Sequence, residues 1–173
     1  MAVIEAIATT YLEADAASVT FSSIPTTYEH LQVRGSHRAA GSSGGQAFYI
    51  ELNATAGTGY SSHTMVGANT NALGQGTTGQ AYIKIYDGIH GAFAAAAEYA
   101  TMILDVLDYR NANKNTTVQL FMQDALTYGT DSRVTFGSGL WDSTDAITQI
   151  KFTPSNGNMV RGSEYTLYGL KSS

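Results

Sequence analysis

The residues of this 173-residue chain that could do chemistry are few: four histidines, fourteen carboxylates and one glycine run. His30, His37, His63 and His90 show no H-x-x-x-H or H-x-H spacing, so a metal site would need distant parts of the chain to converge. His30 falls on a strand row facing outward, where a surface or interface hydrogen bond is the preferred reading. Gly74-Gln75-Gly76-Thr77-Thr78-Gly79 matches the letters of a dinucleotide loop. That chemistry needs a strand before the glycines and a helix starting on them, so that N–H groups and the helix dipole meet a pyrophosphate. A strand pattern follows instead, and a flexible loop is the preferred reading.

No G-x-S-x-G elbow occurs, and Ser138 in FGSGLW lacks a base close in sequence. Asp142 and Asp145 in LWDSTDA, with Asp131 nearby, have the residue type for weak Ca²⁺ binding. Asp that hydrogen-bonds its own backbone in a turn accounts for them more simply. Asn53-Ala54-Thr55 and Asn115-Thr116-Thr117 are glycosylation sequons in form only. The expectation is a chain that is not an enzyme, with no catalytic residues, no cofactor and no metal. Eleven tyrosines against one tryptophan are the most suggestive count. Tyr49, Tyr82 and Tyr86 lie on outward rows, and for them core-edge capping, protein contact and sugar stacking all stay open.

These side chains have to be carried by something, and composition narrows what. Charged residues make up 13% of the chain and glycines number 18, which suits a turn-rich all-β domain or a surface partly covered by other subunits. A net charge of −5 offers no basic stripe for nucleic acid. Cysteine is absent, so disulfides and thiolate metal sites are excluded. The apolar run in MAVIEAIATTYLEAD has no basic start and is broken by Glu5, and no run reaches membrane-spanning length. A chain made in a cytoplasm, with no membrane partner, is expected.

Alternation of period two then organises the chain. Val3 to Leu12 reads as a strand. In SVTFSSIPTTYEHLQVRGSHR, Val19 and Phe21 face one way, Pro25 turns a corner, and Leu31 and Val33 alternate with Tyr28, His30, Gln32 and Arg34. Phe48, Ile50 and Leu52 share one face, as do Ile83 and Ile85, and as do Val118, Leu120 and Met122. Further strands are predicted at Arg133 to Phe136, Ala146 to Phe152 and Glu164 to Leu170. Phe93 to Arg110 has a helical alternative, but the all-β context favours a strand over Tyr99 to Tyr109 with Ala100, Met102, Leu104 and Val106 on one face. The alanine run of Phe93 to Ala97 is then a loop or single turn. Gly57 to Gln80 reads as a long loop on the rim. The fold expected is a single all-β domain over 1–173, a jelly-roll-like antiparallel β-sandwich of about nine to ten strands, with its first and last strands paired.

Three segments also carry a resemblance. The corner and strand of Ser18 to Arg38, the L-D-Y-x-N-x-N-K-N-x-T run of Leu107 to Thr117, and the closing G-S-x-Y-T-L-Y-G-L-K of Gly162 to Lys171 resemble a group of tailed-bacteriophage structural proteins. Each is a folding signature rather than a catalytic one. The resemblance implies a virion protein of jelly-roll or β-sandwich type: a capsid decoration (cement) protein, or a tail or fibre component. It implies the major capsid protein or other virion proteins as partners, and homotrimers at three-fold positions as the assembly. Tyr28, His30, Gln32 and Arg34, together with Tyr82 and Tyr86, are the expected interface. A carbohydrate-binding module of a tail fibre or spike is the alternative, recognisable by a concave aromatic platform beside carboxylates or amides. A glycan-cleaving enzyme is the third reading and the least favoured.

Overall fold

A computed structural model describes residues 3–41, 45–54, 57–68, 70–91, 96–124 and 132–171. Their alternating runs form twelve strands: β1 (Val3–Tyr11), β2 (Val19–Phe21), β3 (His30–His37), β4 (Gly45–Leu52), β5 (Tyr60–Ala68), β6 (Asn71–Gln80), β7 (Ile83–His90), β8 (Ala100–Val106), β9 (Thr116–Asp124), β10 (Arg133–Trp141), β11 (Ile150–Pro154) and β12 (Glu164–Lys171). All pairings are antiparallel. One sheet has eight strands in the order β1-β12-β3-β8-β9-β10-β5-β6, and the other has four in the order β2-β11-β4-β7. Among the described residues no helix is long and apolar enough to cross a membrane.

The two inner faces build one core. Phe48, Ile50, Leu52, Ile83, Ile85, Val118, Leu120 and Met122, expected to share it, all do. Tyr49, Lys84 and Gln119, one residue out of step, lie outside it, which fixes the register because a single slip would invert each face. Rings of Phe48, Phe152 and Tyr165 stack in sequence at 5.5 and 5.4 Å through the middle. β8 is the strand expected between Tyr99 and Tyr109, with Ala100, Met102, Leu104 and Val106 buried. Of the alanine run, Ala96 and Ala97 lie in a turn, and Phe93 to Ala95 fall outside the described residues. First and last strands pair as expected, with Val3 opposite Lys171 and Tyr11 opposite Glu164.

Gly57 to Gln80 is a correction: it holds β5 and β6, not a loop, and the described residues form twelve strands where about nine to ten were expected. The cause is chemical. β5 points Tyr60, Ser62, Thr64 and Val66 inward, and two of those four are small hydroxyl residues, which hides the alternation. They are inside because the edge of β7 needs them. Ser62 Oγ donates to the Lys84 carbonyl at 2.8 Å and accepts from its N–H, Thr64 Oγ1 accepts from Tyr86 N–H, and Thr135 Oγ1 donates to the Asp87 carbonyl. The smaller sheet thus ends on side chains of the larger one rather than on open solvent. The glycine run 74–79 lies within β6, so the dinucleotide reading has no turn and helix to rest on.

The three resembling segments converge at one end of the sandwich. The Tyr109 hydroxyl donates to the Pro25 carbonyl and accepts from Tyr28 N–H, while Asp108 N–H donates to His30 Nδ1 at 2.9 Å. β12 lies beside β3 over seven residue pairs, Leu170 opposite His30. What they fix is the corner, its anchor and the strand on which both rest.

Candidate docking face on the larger sheet

Alternation along each strand dictates which side chains leave the larger sheet on its outer side. Because β3, β8, β9, β10 and β5 are in direct register, their outward residues line up in rows across the strands. One row runs Arg34, Ile103, Phe121, Phe136, Met65, ending at Gly74 of β6. The row about 7 Å along the strands runs Gln32, Asp105, Gln119, Ser138, His63, ending at Gly76. An apolar track therefore lies beside a hydrogen-bonding one.

The apolar track is open to solvent: Phe136 is 49% exposed, Met65 55%, and Phe121 and Ile103 38% each. Phe121 and Phe136 meet with ring centres 5.1 Å apart and planes tilted by 50°. Most exposed apolar residues of a folded chain are scattered singly and need no explanation, whereas a contiguous set does. A groove of about 980 Å³ follows the two tracks, bounded by Leu73 to Gly76 on one side and by Ile103 and Asp105 on the other.

The polar track is braced from β3. Arg34 Nε donates to Gln32 Oε1 and Gln32 Nε2 donates to Asp105 Oδ1, both at 2.8 Å, while the Arg34 guanidinium lies 5.6 Å above the Tyr168 ring. The chain of contacts orients the Asp105 carboxylate at the groove rim. His63 lies over Gly76, where a Cβ would come within 2.7 Å of its ring.

The expected interface residues separate into three places. His30, Gln32 and Arg34 do lie on the outer row of β3, and the last two adjoin the groove. Tyr28 does not belong with them. It precedes β3, and its ring turns to the core side, against Gly169 and the partly buried rim of the hydrophobic cluster. Its hydroxyl donates to Glu5 Oε2 at 2.9 Å, and Lys171 lies 5.4 Å above the ring. The Tyr28 hydrogen bond, and then Lys171, hold the Glu5 carboxyl below its usual range, and the same hydrogen bond pushes the Tyr28 phenol up. Pro25 turns the chain between the strands, so alternation cannot be counted back from β3 through Tyr28. Tyr86 of β7, and Tyr82 just before that strand, lie against the outer side of the smaller sheet, on the opposite side of the molecule. Tyr82 precedes β7 and stacks on Tyr49 at 3.9 Å, and Lys84 Nζ lies 4.2 Å over Tyr86.

The remaining candidates have structural work. Asn53 Oδ1 accepts from Thr148 N–H and Gln149 N–H, and its Nδ2 donates to the Ala146 carbonyl, so this amide ties β4 to the segment before β11. Asp142 accepts from Asn115 Nδ2 at 2.7 Å, and Asp145 N–H donates to Ser143 Oγ; neither carboxylate makes the backbone contact expected of it. Asp131 falls outside the described residues. Among the described residues no group of three His, Cys, Asp or Glu side chains could hold a metal ion.

The central residues of this face, Ile103, Phe121, Phe136 and Met65, were not singled out by sequence. A signal existed for two of them: Phe121 and Phe136 are large aromatics on the polar register of strands whose other register is plainly the core.

The chain matches no protein-family model. No curated protein matches it. Among solved structures it is similar to the Caenorhabditis elegans galectin LEC-6, at 9% identity over 95% of this chain and 96% of that one, with a TM-score of 0.35. A second likeness is to the infectious bursal disease virus Gx strain structure, at 9% identity and a TM-score of 0.14, where the chain spans 43% of the other's length.

Proposed function

We propose that this protein is a non-enzymatic structural protein of a tailed-phage virion, a capsid decoration protein that docks on the assembled shell through the outer face of its larger sheet. The observation that carries the docking is the exposed row Ile103, Phe121, Phe136 and Met65, aligned across four strands. Aromatics and Met are the side chains enriched in buried interfaces, and a contiguous apolar row has a hydration cost that a partner removes. The virion assignment itself rests on the three resembling segments. Individually modest contacts repeated by the symmetry of a shell add up to strong attachment.

A ligand that binds only the assembled shell stabilises it by mass action. Particles lacking the protein should release DNA at lower temperature or under milder osmotic shock, while still adsorbing to host cells. Added protein should rebind and restore resistance. Replacing Phe121 and Phe136 together by Ser should weaken rebinding by about 30-fold or more, since even one interface anchor contributes roughly 2 kcal/mol. Wild-type rebinding by that variant would overturn the docking face.

One observation favours a second reading, recognition of a host glycan. Aromatic rings beside a braced carboxylate, an amide and an imidazole are what a pyranose needs for its apolar face and its hydroxyls. Depleted particles that stay stable yet no longer adsorb would move the assignment to this reading.

A further inference from the structure

Among the described residues the sandwich has four sheet edges, and three are defended. β2 is only three residues long. β7 is closed by the hydroxyls of Ser62, Thr64 and Thr135. β1 is bent by an irregularity between Ala6 and Ala8 and carries Glu5, which is paired with Lys171 and Tyr28. Bulges, inward charges and short strands are the usual ways of refusing a further strand.

The fourth edge, β6, refuses less. NALGQGTTGQ contains no charged residue and no proline over ten residues. Its one irregularity lies at the Gln80 end, leaving Asn71 to Thr77 in continuous register with Ala68 to Ser62. None of its side chains is buried on either face, and Leu73 is 50% exposed. The smaller sheet stops at β7, beneath β5 and β10, and β6 reaches towards it only near Thr77, whose Oγ1 lies 3.0 Å from Ser62 Oγ. A strand with one sheet neighbour, partly buried only at Gln75, Thr77 and Gln80, gains little for the ordering it requires.

We infer that β6 is the contact through which two copies of this chain pair, edge to edge and antiparallel, to make one continuous sheet across a two-fold axis. The charge pattern selects a second copy rather than another partner. A two-fold contact sets each strand against itself, so any charge on the edge would meet its like, and an edge free of charge avoids this in a molecule that carries −5 overall. Overlap of the regular Asn71–Thr77 run sets Gly74 opposite its own copy and Leu73 opposite Gln75 on the same face, so the partner strand covers part of the otherwise exposed Leu73. The apolar row that ends at Met65 and Gly74 would then continue into the second copy. The contact differs from the three-fold assembly expected from the resemblance, and it does not depend on what the groove binds.

The test is the mass of the purified full chain in solution at micromolar concentration, measured for wild type and two double variants, Leu73→Lys/Gln75→Lys and Leu73→Glu/Gln75→Glu. Wild type should be a dimer. Each variant alone should be a monomer, and an equimolar mixture should give mixed dimers, because the opposite charges then face each other. Amide exchange along Asn71–Gln80 should be slower in wild type than in either variant, with β3, β8 and β9 equally protected in all three as the control for folding. A wild-type monomer, a trimer, or a dimer indifferent to both variants overturns the inference. Failed rebinding by the Phe121/Phe136 variant, with the dimer intact, would bear on the groove alone.

Discussion

His37 is fully buried between the rings of Phe48 and Tyr165, at 4.9 and 5.5 Å, with Nε2 donating to the Gly88 carbonyl at 3.3 Å. Burial pushes its pKa down to about 3, helped by nearby His90 and opposed by the Gly88 bond. In the unfolded chain the imidazole titrates near its ordinary 6.5. Between these values the unfolded state binds a proton that the folded state does not, so stability is full above pH 6.5 and falls as pH drops towards 3. At pH 5 the loss from this residue is about 2 kcal/mol. Thermal melts at pH 7 and pH 5 should differ by roughly 4–8 °C through this group, and His37→Phe should flatten that part of the slope. A variant with the wild-type slope would show that His37 does not titrate as its burial requires. The residues of the docking face behave differently. Phe121 and Phe136 are exposed, so replacing both by Ser should shift the melting temperature by no more than about 5 °C. A collapse of the fold would show that they are core residues and not a free surface.

At the scale of elements, β10 shows how a strand makes room for the opposite sheet. Gly137 and Gly139 both face inward beneath β7, and a Cβ there would come within 2.7 Å of Ile85 and 2.6 Å of Ile83. Gly139→Val should therefore cost about 1–3 kcal/mol by overpacking, read as a lower denaturant midpoint with an unchanged slope. A neutral result would mean the sheets separate freely at that point. Legibility in the sequence follows the same division between faces. Strands whose inner register is largely apolar, such as β4, β8 and β9, can be read directly from their alternation. β5 cannot, because Ser62 and Thr64 face inward to close the edge of β7. β6 cannot either, because a strand exposed on both faces has no alternation to read. Gln32 and Arg34, one flank of the candidate face, are visible as an outward row. The centre of the face is not, since Met65 lies in a segment whose composition reads as a loop, and the turn at Pro25 misplaces Tyr28.

At the scale of the molecule, the fold closes on its last strand. β12 lies between β1 and β3 and brings Tyr165 and Leu167 into the core, so residues from opposite ends of the chain complete one sheet. Truncation before Glu164 should expose the edge of β3 and the apolar positions beneath it, abolishing cooperative unfolding; a soluble truncation with a single sharp transition would contradict this arrangement. The larger sheet is thereby fixed as one surface whose outer side carries an apolar row and a braced polar row. In the virion role proposed above, that side makes the contact between the protein and the rest of the particle. The most direct measurement is a density map of the intact virion in which this chain is traced. If the outer side is the docking face, another protein chain will be packed over Ile103, Phe121, Phe136 and Met65, on the shell of the capsid, with those four side chains buried. A chain traced with that face open to solvent, and attached to its neighbours through the smaller sheet instead, would contradict the assignment.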